Sequence, residues 1–392
     1  MKINKRESIK KLCDKVRTYS ESDKNRNKLE RWVSIAGLQN VFTRWIPRER
    51  CNGVPFIADL DREMWAQVLN MDVEEIYADP LVYLEFELRK KVYAFENFDD
   101  DFPLTRIITI WHGVGFLQTL FGLPQEPAKN GHEPWVGKHS IIREKKDLAT
   151  IEPPDFYTSG LMPKIHKMYE IMRETIDDDF EIIFPEWDFG CYGIALSLRG
   201  TEYFSVDMIN DPEFAHELLQ FIYTSKVEYT EERARFLKTA VEPLYIPNDD
   251  ITIPIISPNG YRDFILPYEI KTSELHGGID YWHSCGRVDP LLEHIKKIPN
   301  LKMIHVSYAN NFERAAGAIG TDHIIEYVLN PIDDVLKSTP EQMTAQLRDL
   351  KALNEGLSYT VRADAFQVLS TVENDIDKIK QWIRICRKVF GN

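Results

Sequence analysis

The sequence predicts an α/β fold, a (β/α)8 TIM barrel carrying an N-terminal helical extension. Three observations point there. Apolar, β-branched runs alternate with helical patterns from residue 53 to the end, the signature of a parallel α/β protein. The strand candidates number close to eight, which favours a barrel over an open doubly wound sheet. No Gly-rich dinucleotide fingerprint follows any strand. The expected division is an extension over 1–52 and a barrel over 53–392.

The elements follow in order. Apolar spacing from Lys5 to Gln39 (Ile9, Leu12, Val16, then Leu29, Trp32, Val33, Ile35, Leu38) predicts two helices outside the main body. Their expected role is a cap or a contact between copies in a homodimer. Gly53–Asp59 is a first strand closed by an acid, with helices over Glu63–Asn70 and Val73–Phe95. Arg106–Gly113 is a second strand ending in His-Gly. Residues 124–154 are irregular and rich in Pro and Gly, an excursion with the character of a lid or an edge.

A helix over Met162–Ile176 precedes a strand at Phe180–Pro185. Asp211-Pro212-Glu213 combines a cap, a proline at the first helical position and an acid in the first turn, starting a helix that runs to Leu237. Further strands are read at Pro243–Pro247, Ile279–His283, Leu301–Ser307, Asp322–Val328 and Leu357–Arg362, separated by helical patterns.

Net charge is -14 and the sequence pI is near 5.3. An acidic surface opposes nucleic acid and anionic membranes as partners, because both require a basic footprint. The N-terminus lacks the apolar core of a signal peptide, and no apolar run is long enough to span a bilayer. The five cysteines are scattered without paired spacing, so the expectation is unpaired thiols in a reducing cytoplasm.

In a parallel barrel, chemistry gathers at the C-terminal ends of the strands. The polar residues there are Asp59, His112, Glu186 with Asp188, Asp249 with Asp250, His283 with Cys285, His305 with Ser307, Glu326, and Arg362 with Asp364. His283 and Cys285 stand two apart in an extended run, so both point to one side and offer a nitrogen and a sulfur to one point. That pair suits zinc, although a buried Cys and a hydrogen-bonded His give the same pattern. His305 and Asp364 are candidates to complete the shell. Asp249 and Asp250 face opposite ways, so one enters the site while the other serves the loop. Arg362 offers a planar fork for a carboxylate or phosphate.

Several separated stretches together resemble the uroporphyrinogen decarboxylase-like superfamily, which holds the decarboxylase and the zinc-dependent corrinoid methyltransferases. They are Tyr192-Gly193-Ile194-Ala195 through Leu198-Arg199-Gly200-Thr201-Glu202 and Asp211-Pro212-Glu213; Asp249-Asp250 through Ile256-Ser257-Pro258 and Phe264–Tyr268; and His283-Ser284-Cys285-Gly286. The second half of the chain is covered well and the first half poorly. The resemblance implies a barrel with an N-terminal extension and an open site at the strand ends. In the methyltransferase branch, and in the similar cobalamin-independent methionine synthases, a His-x-Cys pair binds zinc, which carries over to His283 and Cys285.

Two departures matter. Where the branch has a further Cys near the last helix, this chain reads Val361-Arg362-Ala363-Asp364-Ala365-Phe366. Where an acidic ligand follows the His-x-Cys strand, it has His305. The implied metal set is therefore His283, Cys285, His305 and Asp364. The decarboxylase's Arg-rich N-terminal segment is replaced by Val54–Arg62, with one Arg among three acids.

The leading expectation is a cytoplasmic methyltransferase moving a methyl group between a small methylated substrate or thiol and a corrinoid protein. Its cofactors would be Zn2+ and a corrinoid carried by that partner. Asp250, Glu186 and Arg362 are the expected catalytic residues, and Asp59, His112 and Tyr281 the expected substrate contacts. The alternatives are a carboxy-lyase, with Arg362 on a carboxylate and Asp250 stabilising a cation, and a non-catalytic small-ligand barrel.

Overall fold

A computed structural model describes residues 5–36, 44–48, 53–137, 140–187 and 189–391. The expected helices at the start are present, Lys5–Ser20 and Asp23–Leu29. The first buries Ile9, Cys13 and Val16 against the helix Pro80–Asn97. The second ends earlier than the spacing predicts. Trp32–Ala36 is a strand, β1, paired antiparallel with β2, Arg44–Pro47. β-branched Val33 and Ile35 favour the extended chain, and the Trp32 and Trp45 rings pack 6.1 Å apart. Leu38 and Gln39 lie outside the described residues.

The main body runs β3 (Phe56–Leu60), β4 (Ile107–Thr109), the short antiparallel pair β5 (Gln125–Glu126) and β6 (Trp135–Val136), then β7 (Glu181–Ile183) and β8 (Leu244–Pro247). β9 (Ile279–His283), β10 (Leu301–Ser307), β11 (Ile324–Leu329) and β12 (Tyr359–Phe366) complete it. The 124–154 excursion contains β5, β6 and a 3-10 turn, Lys145–Thr150.

The strands form a curled, all-parallel six-stranded sheet in the order β3-β12-β11-β10-β9-β8, and a separate parallel pair, β4 with β7. This is the α/β architecture expected, and among the described residues no ladder joins β3 to β4 or β7 to β8, so the sheet is a curled half-barrel rather than a closed one. The reason is chemical at both seams.

Beyond β3, the amide of Phe56 donates to Asp101 Oδ2 and that of Ala58 to Asp100 Oδ2, each at 3.1 Å. Two carboxylates thus take the place of β4. Beyond β7, Arg233 donates to the carbonyls of Phe184 and Pro185, Tyr229 to that of Pro185, and Lys226 to that of Trp187. All three come from the helix Pro212–Leu237 and take the place of β8. These backbone groups are satisfied, as buried backbone must be, without strand pairing.

Candidate functional site

Successive residues of a strand face opposite sides, and β8 and β9 run side by side with Pro247 opposite His283. On β8 the inward positions are Tyr245 and Pro247, and the same alternation carries past the strand end to Asp249. On β9 they are Tyr281 and His283, followed by Cys285. Asp249, His283 and Cys285 consequently converge: one ligand atom from each lies within 4.8 Å of the others. His283 Nε2 is 3.0 Å from Asp249 Oδ1 and 3.3 Å from Cys285 Sγ, and the Cys285 amide donates to the same carboxylate at 3.3 Å.

Removal from bulk water would raise the Asp249 carboxyl, but the charge and hydrogen bond of His283 outweigh it and hold the group at about 2. The protein packed around the sulfur, then the charges of Asp249 and Asp364, push the Cys285 thiol far up although the residue is open to solvent on one side. The His283 ring is oriented by packing: Tyr245 and Tyr281 lie beside it, and His305 meets it edge-on at 4.1 Å.

Behind this cluster stands Glu269, which the sequence reading did not single out. Its Oε1 accepts from Asn248 Nδ2 at 2.8 Å and Trp282 Nε1 at 2.9 Å, and its Oε2 accepts from the Tyr261 hydroxyl. Asn248 and Trp282 directly precede Asp249 and His283, so one buried carboxyl ties together the two segments that carry the cluster. Burial raises Glu269 to about 7 against those hydrogen bonds.

Below the cluster is a floor of paired charge. Arg44, sent in from β2, lies 3.2 Å from Glu326 and 2.9 Å from Asp364 and covers the Tyr245 and Tyr281 rings. Arg362 lies 3.0 Å from Glu326, whose other oxygen accepts from the Tyr281 hydroxyl. Burial would raise the Glu326 carboxyl, yet Arg362 and Arg44 hold it low. His305 Nδ1 is 3.0 Å from the Tyr281 hydroxyl, and burial, with His283 and the two arginines, drives its imidazole far below the usual range. Ala365, at the end of β12, adopts a left-handed φ of 55° beside a bulge that follows Ala363.

A cavity of about 240 Å³ opens over the cluster, lined by Asp249, His283, Cys285, Asp59, Trp111 and Phe189 among others. The remaining expected residues fall into place around it. Asp59 lines it and accepts from Trp65 Nε1 at 3.3 Å. Tyr281 and Arg362 belong to the floor. Asp250 faces the other way, toward Gly193, where an added Cβ would meet its Oδ2 at 2.8 Å.

Glu186 lies apart from the cluster, bound to Arg233 at 3.1 Å and to the Trp187 amide at 2.7 Å. Asp188 lies outside the described residues. His112 is buried on Gln125, 3.1 Å away, and lowered to about 4 by burial and then by Lys164. Of the implied metal set, His283 and Cys285 sit in the cluster. Asp364 is instead ion-paired with Arg44, and His305 packs against the His283 ring. The third donor within reach of that pair is Asp249.

Oxygen, nitrogen and sulfur donors from three side chains, with solvent on the open side, fit a zinc site that keeps a position for a reactant. Asp249 and Cys285 are exposed and His283 is buried, so the donors sit at the cavity mouth.

The family model for uroporphyrinogen decarboxylase (URO-D) matches residues 117–383, more than half of the chain. No curated protein sequence matches. Among solved structures, a methyltransferase from Methanosarcina mazei superposes with a TM-score of 0.62 at 16% identity, covering 86% of this chain and 95% of that one. At that identity the likeness concerns the fold.

Proposed function

Since the chain belongs to the uroporphyrinogen decarboxylase family, we propose that it is an enzyme of the methyl-transferring kind. It moves a methyl group between a small methylated substrate or thiol and a corrinoid protein, in the cytoplasm. The observation that carries this reading is the convergence of Asp249, His283 and Cys285 at the ends of two adjacent strands. These residues would hold zinc, which when bound lowers the pKa of a coordinated thiol or similar group and makes it nucleophilic at neutral pH.

The protein's own groups do the rest. Glu269 fixes the spacing of the two ligand-bearing segments. Tyr245, Tyr281 and His305 hold the His283 ring, and the Arg44–Glu326–Arg362 floor holds Tyr281. Among the described residues no helix is long and apolar enough to cross a membrane, and the four described cysteines are free.

A polycarboxylate substrate, as a decarboxylase of tetrapyrroles would take, fits less well. Arg44, Arg62 and Lys90 all reach the cavity, but each is already paired with a Glu or Asp.

Zinc content tests the reading. Protein purified without chelator should carry one zinc per chain, and His283→Ala and Asp249→Asn should each lower it. Metal-free wild-type protein that takes up no zinc on titration sinks the proposal.

A further inference from the structure

The cavity walls carry a charge pattern that the metal cluster does not explain. Its basic residues are spent: Arg44, together with Arg362, on Glu326 and Asp364, Arg62 on Glu87 and Glu133, and Lys90 on Glu87. Two of its acids are not. Asp59 and Asp61, at the end of β3, line the cavity and form no ion pair with any described residue. Asp59 accepts one long hydrogen bond from the Trp65 indole, and Asp61 caps the helix Arg62–Leu69 through the Met64 amide at 2.6 Å. The charge left over inside this cavity is therefore negative.

The same cavity presents aromatic surface. Trp111 and Phe189 line it and are half-buried. The Trp111 indole N–H donates to Glu133 at 3.0 Å, which pins the ring's edge and fixes where its face lies. Aromatic faces beside carboxylates that stand outside any ion pair attract a cation whose charge is buried under methyl groups. A quaternary ammonium loses little hydration on entering, and the ring quadrupole and carboxylates both favour its charge. An anion of the same shape would meet repulsion from both.

We propose that the cavity binds a small methylated ammonium cation, with Asp59 and Asp61 supplying the countercharge and Trp111 and Phe189 the apolar faces. The proposal rests on the methyl-transfer reading for its meaning, since such a cation is a methyl-bearing substrate, but not for its measurement.

Three ligands of one shape and different charge test it on the full chain by isothermal titration calorimetry: choline, 3,3-dimethylbutan-1-ol and 3,3-dimethylbutanoate. Choline should bind about tenfold or more tightly than the alcohol, and the carboxylate weakest of all. Asp61→Asn keeps the helix cap while deleting the charge, so a folded variant that loses the preference for choline isolates the electrostatic part. Trp111→Leu should weaken choline more than the alcohol.

Equal affinities, an inverted order, no binding of any of the three, or an unchanged preference in Asp61→Asn would overturn the proposal. Zinc is measured on the same samples. Zinc without cation preference removes this inference and leaves the methyl-transfer reading standing, whereas cation preference without zinc does the reverse.

Discussion

The mouth and the floor of the cavity are built from similar residue types and do opposite things. At the floor, Arg44, Glu326 and Arg362 are nearly fully buried and Asp364 is partly so, and each is committed to a partner of opposite charge. At the mouth, Asp249, His283 and Cys285 satisfy mainly one another and stay open on the solvent side. A buried ion network has no capacity to spare, because withdrawing one member leaves another charge stranded in low dielectric. A solvent-edged cluster of donors keeps its lone pairs available. The floor holds geometry, and the mouth keeps donor atoms free for a ligand.

The sharpest way to break that distinction is Arg44→Met. It strands Glu326 and Asp364 against a single remaining arginine, and should cost roughly 3–5 kcal/mol of unfolding free energy. Denaturant titration reads this; a loss below 1 kcal/mol would mean that the floor is not a structural network.

Next comes pH. A carboxyl whose folded pKa lies above its unfolded value keeps its proton in the native state, so the native state loses stability as pH rises between the two. For Glu269 that window runs from 4.5 to about 7, and the loss across it is roughly 3 kcal/mol. Glu269→Gln, which preserves the shape and the acceptor for Asn248 and Trp282, should flatten this part of the stability–pH curve. It should also keep zinc, whereas Glu269→Ala should weaken zinc binding by about 10–100-fold.

The smallest effect on stability is expected at the mouth itself. Cys285→Ser, compared with wild type in chelator, should shift unfolding by no more than about 0.5 kcal/mol. The same substitution should remove stoichiometric zinc, so the ranking of the variants reverses when metal is measured in place of stability.

Much of this was legible in the chain. β-branched runs ending in polar residues located the strands, and the i, i+2 spacing of His283 and Cys285 placed them on one side. The same parity, carried from Tyr245 through Pro247, points to Asp249, whereas the adjacent Asp250 is the expected catalytic acid; the two differ only by where the alternation is taken to end. Glu269 was hidden because a lone Glu in a helix reads as solvated, and only the fold puts it behind two strand termini.

The open seams were hidden for a similar reason. Asp100 and Asp101 look like loop acids until they are found on the β3 amides. Arg44 left no periodic signal at all, since its role depends on residues hundreds of positions away.

That distance has a further consequence. The Arg44–Asp364 pair joins positions separated by 320 residues, and its two halves belong to the second strand and the last. Closing so long a loop is slow, and it is rewarded only when both ends arrive together. A nascent chain can therefore assemble most of its helices and the middle of its sheet while Arg44 is still hydrated. The floor, and with it the support under Tyr281 and His283, locks only once β12 has docked. Completion of the site is thus a late event in this molecule's folding, and a partly formed sheet would expose Cys285 on an unfinished base.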